Sequence, residues 1–530
     1  MTDLRIWKFG DDGRTPSPYP PKGEVWSYAI ISKFPNLQIF KLLFFSFLSF
    51  HAHAQSDTLS SPFSTLRSPF AMVWMPEGVP DGHKLVEVRT SFERGRWMAA
   101  QDAGQARALR LAAEGKSDLG NLSVWGRFGY GRTMEDSTRL RHQTRNNPDA
   151  PFYFGSMRNN YYERDTYKID AIAQYRFRDG KIPVTLGLDY RVGNHFSNND
   201  PRARVADHQL DMSLAVGRNF ASWAVHLRGL YGYGRERVGV GYKDGKRMGN
   251  TSDSTYMNWQ MNGFGYVREW LSLMQYNDDF GRHGASLHLA RDFGDRDRAY
   301  LNAGFTDERQ LFKRYDNSPL TYAPLNEYDR RSYRVDLLWT RSGGGRTTAY
   351  RLEASITDGR GFNHAITRKN YVHRRESAVA EAVSQRGNVR LEGRLAYSAA
   401  TSEDGAAGIR MEYARLEPML TASREFPAGK GRHLAPTLSL GYSAALGHSL
   451  VLPGANVAAF AQELIGHDYL YRSTSAWRIG AGLDCRVRRG LTLGFRADYS
   501  RRAGFGEDVS PAGSLGKGRV GAEVLFAYEL

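Results

Sequence analysis

The sequence predicts an all-β protein: a transmembrane antiparallel β-barrel of about 16 strands, within a range of roughly 14–18, with long extracellular loops and short periplasmic turns. Three observations carry that prediction. Paired stretches alternate apolar and polar residues in matching phase across tight turns. Turn lengths alternate between short and long. An export signal near one end is matched by an alternating aromatic strand at the other.

The clearest pair places Tyr167, Ile169, Ala171, Ala173, Tyr175 and Phe177 at odd positions. After Asp179-Gly180 the phase flips, and Ile182, Val184, Leu186, Leu188, Tyr190 and Val192 are even. A tight hairpin sets Phe177 opposite Ile182, Tyr175 opposite Val184 and Ile169 opposite Tyr190, so one face is wholly apolar. Asp-Gly suits the turn, which needs left-handed backbone. Of the 530 residues, 12% are aromatic, 55 are Gly and 29 are Tyr. No run of 18 apolar residues exists to span a bilayer as a helix. Mean hydropathy is −0.53, which a barrel tolerates because only alternate strand residues meet lipid. The lone Cys485 excludes an intramolecular disulfide. The net charge of +16 is scattered, without the basic block or motif of a nucleic-acid binder.

Residues 1–54 read as a leader plus signal peptide. Lys41 precedes the apolar core Leu42–Phe50, and Ala52-His53-Ala54 followed by Gln55 forms an A-x-A cleavage site. The proline-bearing stretch 1–40 sits oddly ahead of such a signal, and a start near Leu37 or Ile39 is the expectation. Residues 55–82 form a periplasmic N-terminal segment or plug, and residues 83–530 the barrel. Strands are expected near 84–92, 119–131, 163–178, 181–193, 207–218, 222–235, 255–267, 284–292 and 298–308. Others are expected near 330–341, 347–358, 387–399, 408–423, 433–445, 474–488, 491–501 and 517–530. Segment 105–113 is ambiguous, 268–283 has no readable phase, and 194–206, 359–386, 446–473 and 502–516 read as long loops. In the last strand Gly521, Val524, Phe526, Tyr528 and Leu530 compose a terminal signal of the kind read by the barrel-assembly machinery.

Gly126-Arg127-Phe128-Gly129-Tyr130-Gly131, the strand Leu188-Asp189-Tyr190 and the loop Asn199-Asp200-Pro201-Arg202, with the strand layout, resemble an uncharacterised family of outer-membrane β-barrel proteins from Bacteroides-type bacteria. The resemblance implies an outer-membrane barrel and brings no activity or catalytic residue.

Strand phase then places charges in the lumen. Across Ser342 to Gly345, Asp336 is expected opposite Arg351 and Arg334 opposite Glu353. Across Arg488 to Gly490, Asp484 lies diagonal to Arg496 and Arg478 to Asp498. Cross-strand pairs of opposite charge stiffen a sheet by up to about 1 kcal/mol each. Asp170 faces Asp189, with Lys168 and Arg191 opposed beside them, and a neutral quartet is the simpler reading than a cation site. Arg394 joins these as a candidate for a charged constriction. Lumen arginines outnumber lumen acids, predicting a mildly cationic bore. Ser213 and His226, with Asp211 near, are the one arrangement suggesting a hydrolase.

The leading function is a non-enzymatic pore or uptake channel. The alternatives are a scaffold docking a surface lipoprotein or secretion partner, and a barrel hydrolase. The expected partners are outer-membrane lipid and lipopolysaccharide, the barrel-assembly machinery and a surface lipoprotein. No cofactor and no metal is called for.

Overall fold

A computed structural model describes residues 69–529 apart from 143–148, 249–251, 271–273, 316–321, 430, 454–456, 489, 504–508 and 511–512. The expected leader, the Ala54–Gln55 cleavage point and Leu530 lie outside the described residues. The strands begin with β1 (Lys84–Gly95), β2 (Gln105–Leu119), β3 (Leu122–Thr138), β4 (Phe152–Gly155), β5 (Asn160–Phe177), β6 (Ile182–Ser197), β7 (Arg202–Asn219) and β8 (Trp223–Gly241). They continue with β9 (Asn258–Asn262), β10 (Val267–Trp270), β11 (Met274–Phe293), β12 (Asp297–Tyr315), β13 (Tyr322–Gly343), β14 (Arg346–Asn363), β15 (Arg368–Arg386) and β16 (Val389–Asp404). The last are β17 (Ile409–Arg424), β18 (Phe426–Pro427), β19 (His433–Val451), β20 (Ala476–Arg488), β21 (Leu491–Arg502), β22 (Val509–Ser510), β23 (Gly513–Ser514) and β24 (Gly518–Glu529).

The main sheet holds 19 strands. The two-residue β18 only prolongs β17 past a break, so 18 strands make the wall among the described residues. Each antiparallel pair joins wall strands that follow one another along the chain once the short β4, β9, β10, β18, β22 and β23 are set aside, and β24 closes the circle by pairing with both β21 and β1. Closure leaves no open edge, a requirement for strands that cross hydrocarbon. The outer face is apolar: Ile169, Tyr175, Phe177, Leu186, Val335 and Phe526 all stand exposed. On β13 the outward series Tyr333, Val335, Leu337, Trp339 is bounded by Arg331 and Arg341. Those four alternate residues span about 20 Å at ~3.4 Å per residue, on the scale of the apolar band of outer-membrane barrels. The chain is an outer-membrane β-barrel.

The Phe177–Ile182 hairpin has the expected register throughout, Asp170 opposite Asp189 included, and Asp179 (φ 55°) and Gly180 (φ 84°) supply its left-handed turn. Eighteen strands are two more than the count of about 16. Segment 105–113 belongs to a full wall strand, β2. The expected loop 359–386 contains β15, whose outward Ala378, Ala380 and Ala382 are too small, and whose inward Val379 and Val383 too apolar, to show alternation. Conversely, 255–267 is not wall: it supplies β9 and part of β10, inside the barrel. The loop expected at 194–206 shrinks because β6 and β7 run on to Ser197 and from Arg202. Strands that rise above the bilayer carry polar residues outward and lose the apolar phase.

A bore of 18 strands is too wide for wall side chains to fill, and the chain fills much of it with its own loops. β9 pairs with both β4 and β10 in a small inner sheet. Phe152 and Phe154 pack on the inward residues Val205, Val238, Val240, Tyr276, Phe312 and Tyr328. Tyr153, Trp259 and Met261 pack on Phe460, Leu464 and Ile465 of a helix, Ala459–Ser473. That helix lies within 446–473, which the sequence predicts as a long loop. Its Asp468 accepts from the Ala100 N–H (2.7 Å), and its His467 lies 3.0 Å from the Met98 carbonyl.

The wall grips the inner sheet through buried amides. Asn326 of β13 donates to the Asn262 side chain (2.9 Å), and Asn370 of β15 donates to the Asn262 carbonyl (3.2 Å) and to Asp404 of β16 (3.0 Å). The close approach requires Gly263: a Cβ there would lie 2.0 Å from Asp404 Oδ2 and 2.3 Å from Asn370 Nδ2. Replacing Asn370 with Leu leaves buried acceptors unpaired, at about 1–3 kcal/mol. For Asn370→Leu and Gly263→Val we expect faster proteolysis within 242–273 while the wall keeps its heat-resistant, fast-migrating form on denaturing gels.

Candidate functional site

Two things define the lumen between these elements: ion pairs along the wall and the N-terminal segment at the short-turn end. On β5 and β6, Lys168 Nζ lies 3.0 Å from Asp170 Oδ1 and 2.9 Å from Asp189 Oδ2, so one ammonium holds both facing carboxylates. Arg191 is not the fourth member of that group. It reaches along the wall to Asp207 (3.1 Å).

The β13–β14 register differs from the expected one. The turn is Gly344-Gly345, both left-handed at φ 59° and 71°. Asp336 therefore sits opposite Glu353 and Arg334 opposite Ser355. A four-residue loop at 342–345 would have shifted the pairing by two. The expected partners still meet, diagonally: Arg351 bonds Asp336 (3.0 Å) and Glu353 (2.8 Å), and Arg334 lies 2.8 Å from Glu353. Arg351 also approaches Glu381 (3.7 Å), which Arg394 contacts at 3.3 Å. One ladder of alternating charge thus runs across β13, β14, β15 and β16.

The β20–β21 register is as expected, with Asp484 diagonal to Arg496 and Arg478 to Asp498. Arg496 lies 3.9 Å from Asp484 and 3.8 Å from Glu523, with its side chain 55% exposed. Arg478 and Asp498 are also exposed. These residues point inward, so their exposure marks water in the bore on this side. Arg478 makes no ion pair among the described residues.

A second ladder escaped the sequence reading. Arg282 of β11 bridges Asp211 (2.9 Å) and Glu308 (2.6 Å), and Arg330 joins Glu308 (3.2 Å). It hinges on the first half of β11, within the segment 268–283 that has no readable phase. Three inward acids, Asp207, Glu236 and Asp278, stand side by side on β7, β8 and β11. The register of the Asp211 strand was readable; the strand that completes the network was not.

The N-terminal segment enters at the short-turn end as a 3-10 turn, Pro69–Trp74, and a short helix, Met75–Gly78. Trp74 is fully buried. Its indole donates to Asn302 (3.0 Å) and meets the rings of His226 (4.8 Å) and Tyr300 (5.5 Å) edge-on. The niche exists because the surrounding inward residues are small: Ala215, Ala224 and Ala290. Lys116 donates to the carbonyls of Pro76 (2.5 Å) and Val79 (2.7 Å), and Gln174 to that of Val73 (3.3 Å). This packing also disposes of the hydrolase arrangement. His226 stands opposite Gly217, four residues along β7 from Ser213, and lies under Trp74. Four residues are about 13 Å of strand.

The chain belongs to a family of unknown function, DUF6850, whose model matches residues 73–519. The match takes in Val73 and Trp74 together with almost the whole wall. No curated protein matches the chain. Among solved structures, the siderophore receptor PiuA from Acinetobacter baumannii is similar at 10% identity and TM-score 0.41, over 85% of this chain and 82% of that one. The FrpB iron transporter from Neisseria meningitidis is similar at 10% identity and TM-score 0.40, over 89% and 83%. Likenesses at these scores lend nothing to the reading of this chain.

At the other end of the lumen, His142 follows β3 and is fully buried, its Nδ1 2.9 Å from the Tyr162 hydroxyl. Burial, partly offset by a hydrogen bond to Asn258 of β9, lowers its imidazolium to about 4 from the ordinary 6.5. A chain segment released from the lumen takes up this proton first, so the contribution of His142 to anchoring is complete above 6.5 and falls as pH drops toward 4. Hydrogen-exchange protection factors in 149–155, taken relative to the intrinsic exchange rate at each pH, are expected to fall across that window in the wild type and to stay flat in His142→Gln.

Proposed function

We propose that this chain is a non-enzymatic uptake channel whose N-terminal segment, within residues 55–82, acts as a removable plug. The observation that carries the reading is the asymmetry of the bore. Beside β8, β11 and β12 it is filled by Trp74 and its neighbours; beside β20 and β21 its charged side chains stand in water. A substrate-specific channel needs both a closed resting path and a hydrated wall. Most lumen charges are neutralised in pairs. On the hydrated side the inward Arg478, Arg486 and Arg496 outnumber Asp484 and Asp498, a mildly cationic balance that favours anionic solutes. A Bacteroides-type outer membrane as the source, and recognition of Gly521, Val524, Phe526 and Tyr528 by the barrel-assembly machinery, belong to the same proposal.

A second reading is a scaffold that docks a surface lipoprotein or secretion partner. It is favoured by the inner sheet and the helix Ala459–Ser473, which fill the lumen toward the long loops. Planar-bilayer conductance separates the two. The wild type is expected to conduct weakly, and Trp74→Ala or deletion of 69–79 to raise conductance roughly tenfold. Conductance absent from every folded variant overturns the channel reading. In the open variants Arg478→Glu is expected to turn a weak anion preference into a cation preference. Arg394→Glu acts less on selectivity, because that guanidinium is already held by Glu381.

A further inference from the structure

The outer surface above the apolar band carries many charges, and most neutralise one another. Arg331 pairs with Asp307 (3.1 Å), Arg309 with Glu327 (2.5 Å), Arg374 with Asp358 (3.4 Å) and Arg132 with Glu163. Arg235 (2.5 Å) and Lys313 (3.2 Å) share Asp279. Beside them the pattern breaks. Arg204 of β7 and Arg237 of β8 are exposed and outward-facing, and neither makes an ion pair among the described residues.

Register brings the two together. Arg204 lies opposite Gly239, and Arg237 precedes that glycine by two, so they are diagonal neighbours. Such residues are roughly 7–8 Å apart, a span across which two long guanidinium groups converge on one anion. Arg204 also lines a cavity of about 810 Å³ in the outer face, together with Phe196, Gly239, Gly241 and Gln275. The concavity arises because the outward glycines of β8 put no side chain between their neighbours. The one outward acid at its edge, Asp165, is held by the Tyr130 hydroxyl (2.8 Å) and faces Arg132 (3.6 Å).

Height identifies the ligand. Tyr233 ends the outward apolar series of β8, and Arg235 and Arg237 are the next two outward positions above it. In the outer leaflet that level is occupied by the phosphorylated sugars of lipopolysaccharide. Arginine forks bind phosphate bidentately, and the gain is greatest where no protein carboxylate competes. We propose that Arg204 and Arg237, with the adjoining cavity, form a site for one phosphorylated headgroup sugar of lipopolysaccharide on the outside of the barrel wall.

Native mass spectrometry of the full chain in detergent, with rough-type lipopolysaccharide added, tests this. One molecule is expected to remain bound to the wild type. Arg204→Glu/Arg237→Glu is expected to lower the bound fraction at least fivefold while keeping the heat-modifiable gel mobility of a folded barrel. Arg204→Lys/Arg237→Lys is expected to retain more than half, and Arg331→Ala, at a paired point of the rim, to match the wild type. Chemically dephosphorylated lipopolysaccharide is expected not to bind. Undiminished binding in the charge-reversed variant, equal binding of the dephosphorylated form, or an equal loss in Arg331→Ala overturns the proposal.

Discussion

The structure depends on closure of the sheet. Within hydrocarbon a backbone N–H or carbonyl without a partner costs several kcal/mol, and a sheet with two edges would expose a row of them. The pairing of β24 with β1 removes both edges at once. Everything else follows from how many strands close the circle. Eighteen make a bore wider than wall side chains can fill. The chain must then either leave a channel of water or bring backbone inside, where every polar group again needs a partner.

The two inserted elements meet that demand differently. The inner sheet satisfies its backbone by pairing β4, β9 and β10 with each other and by accepting amides from the wall, with apolar cores on both faces. Among its described residues the N-terminal segment makes no strand pairing. It depends on a single indole in an alanine-lined niche and on side chains that donate to its carbonyls, chiefly Lys116 and Gln174.

The fold class was legible because lipid imposes a strict period of two wherever a strand crosses it. Tyr167–Phe177 against Ile182–Val192 was readable to the exact register. Legibility stopped where lipid stopped. Above the band, outward positions such as Asn277 and Asp279 are as polar as inward ones, so the first half of β11 had no phase, and with it went the Asp211–Arg282–Glu308 network. β15 failed for a different reason, since alanine outward and valine inward invert the contrast. The inner elements left weaker traces. The Ala459–Ser473 helix carries Phe460, Leu464 and Ile465 at helical spacing, a signal short enough to pass for loop. Nothing local in Trp74 announces that it lies inside a barrel, because its niche is assembled from alanines on three distant strands.

The lumen charges show why pairing survives an error of register. A two-residue shift between β13 and β14 moved every directly opposed partner, yet Arg351 still reaches Asp336 and Arg334 still reaches Glu353. Arginine is long enough to bridge a diagonal as readily as a direct opposition. The sequence therefore specifies which charges share a stretch of wall more robustly than which residues stand face to face. Permeation depends on the first property: a solute meets the net charge left over along each sector of the bore. That remainder is near zero where Asp336, Glu353 and Glu381 answer Arg334, Arg351 and Arg394. Beside β20 it turns on Arg478 and Asp498, diagonal neighbours that both stand exposed in the bore.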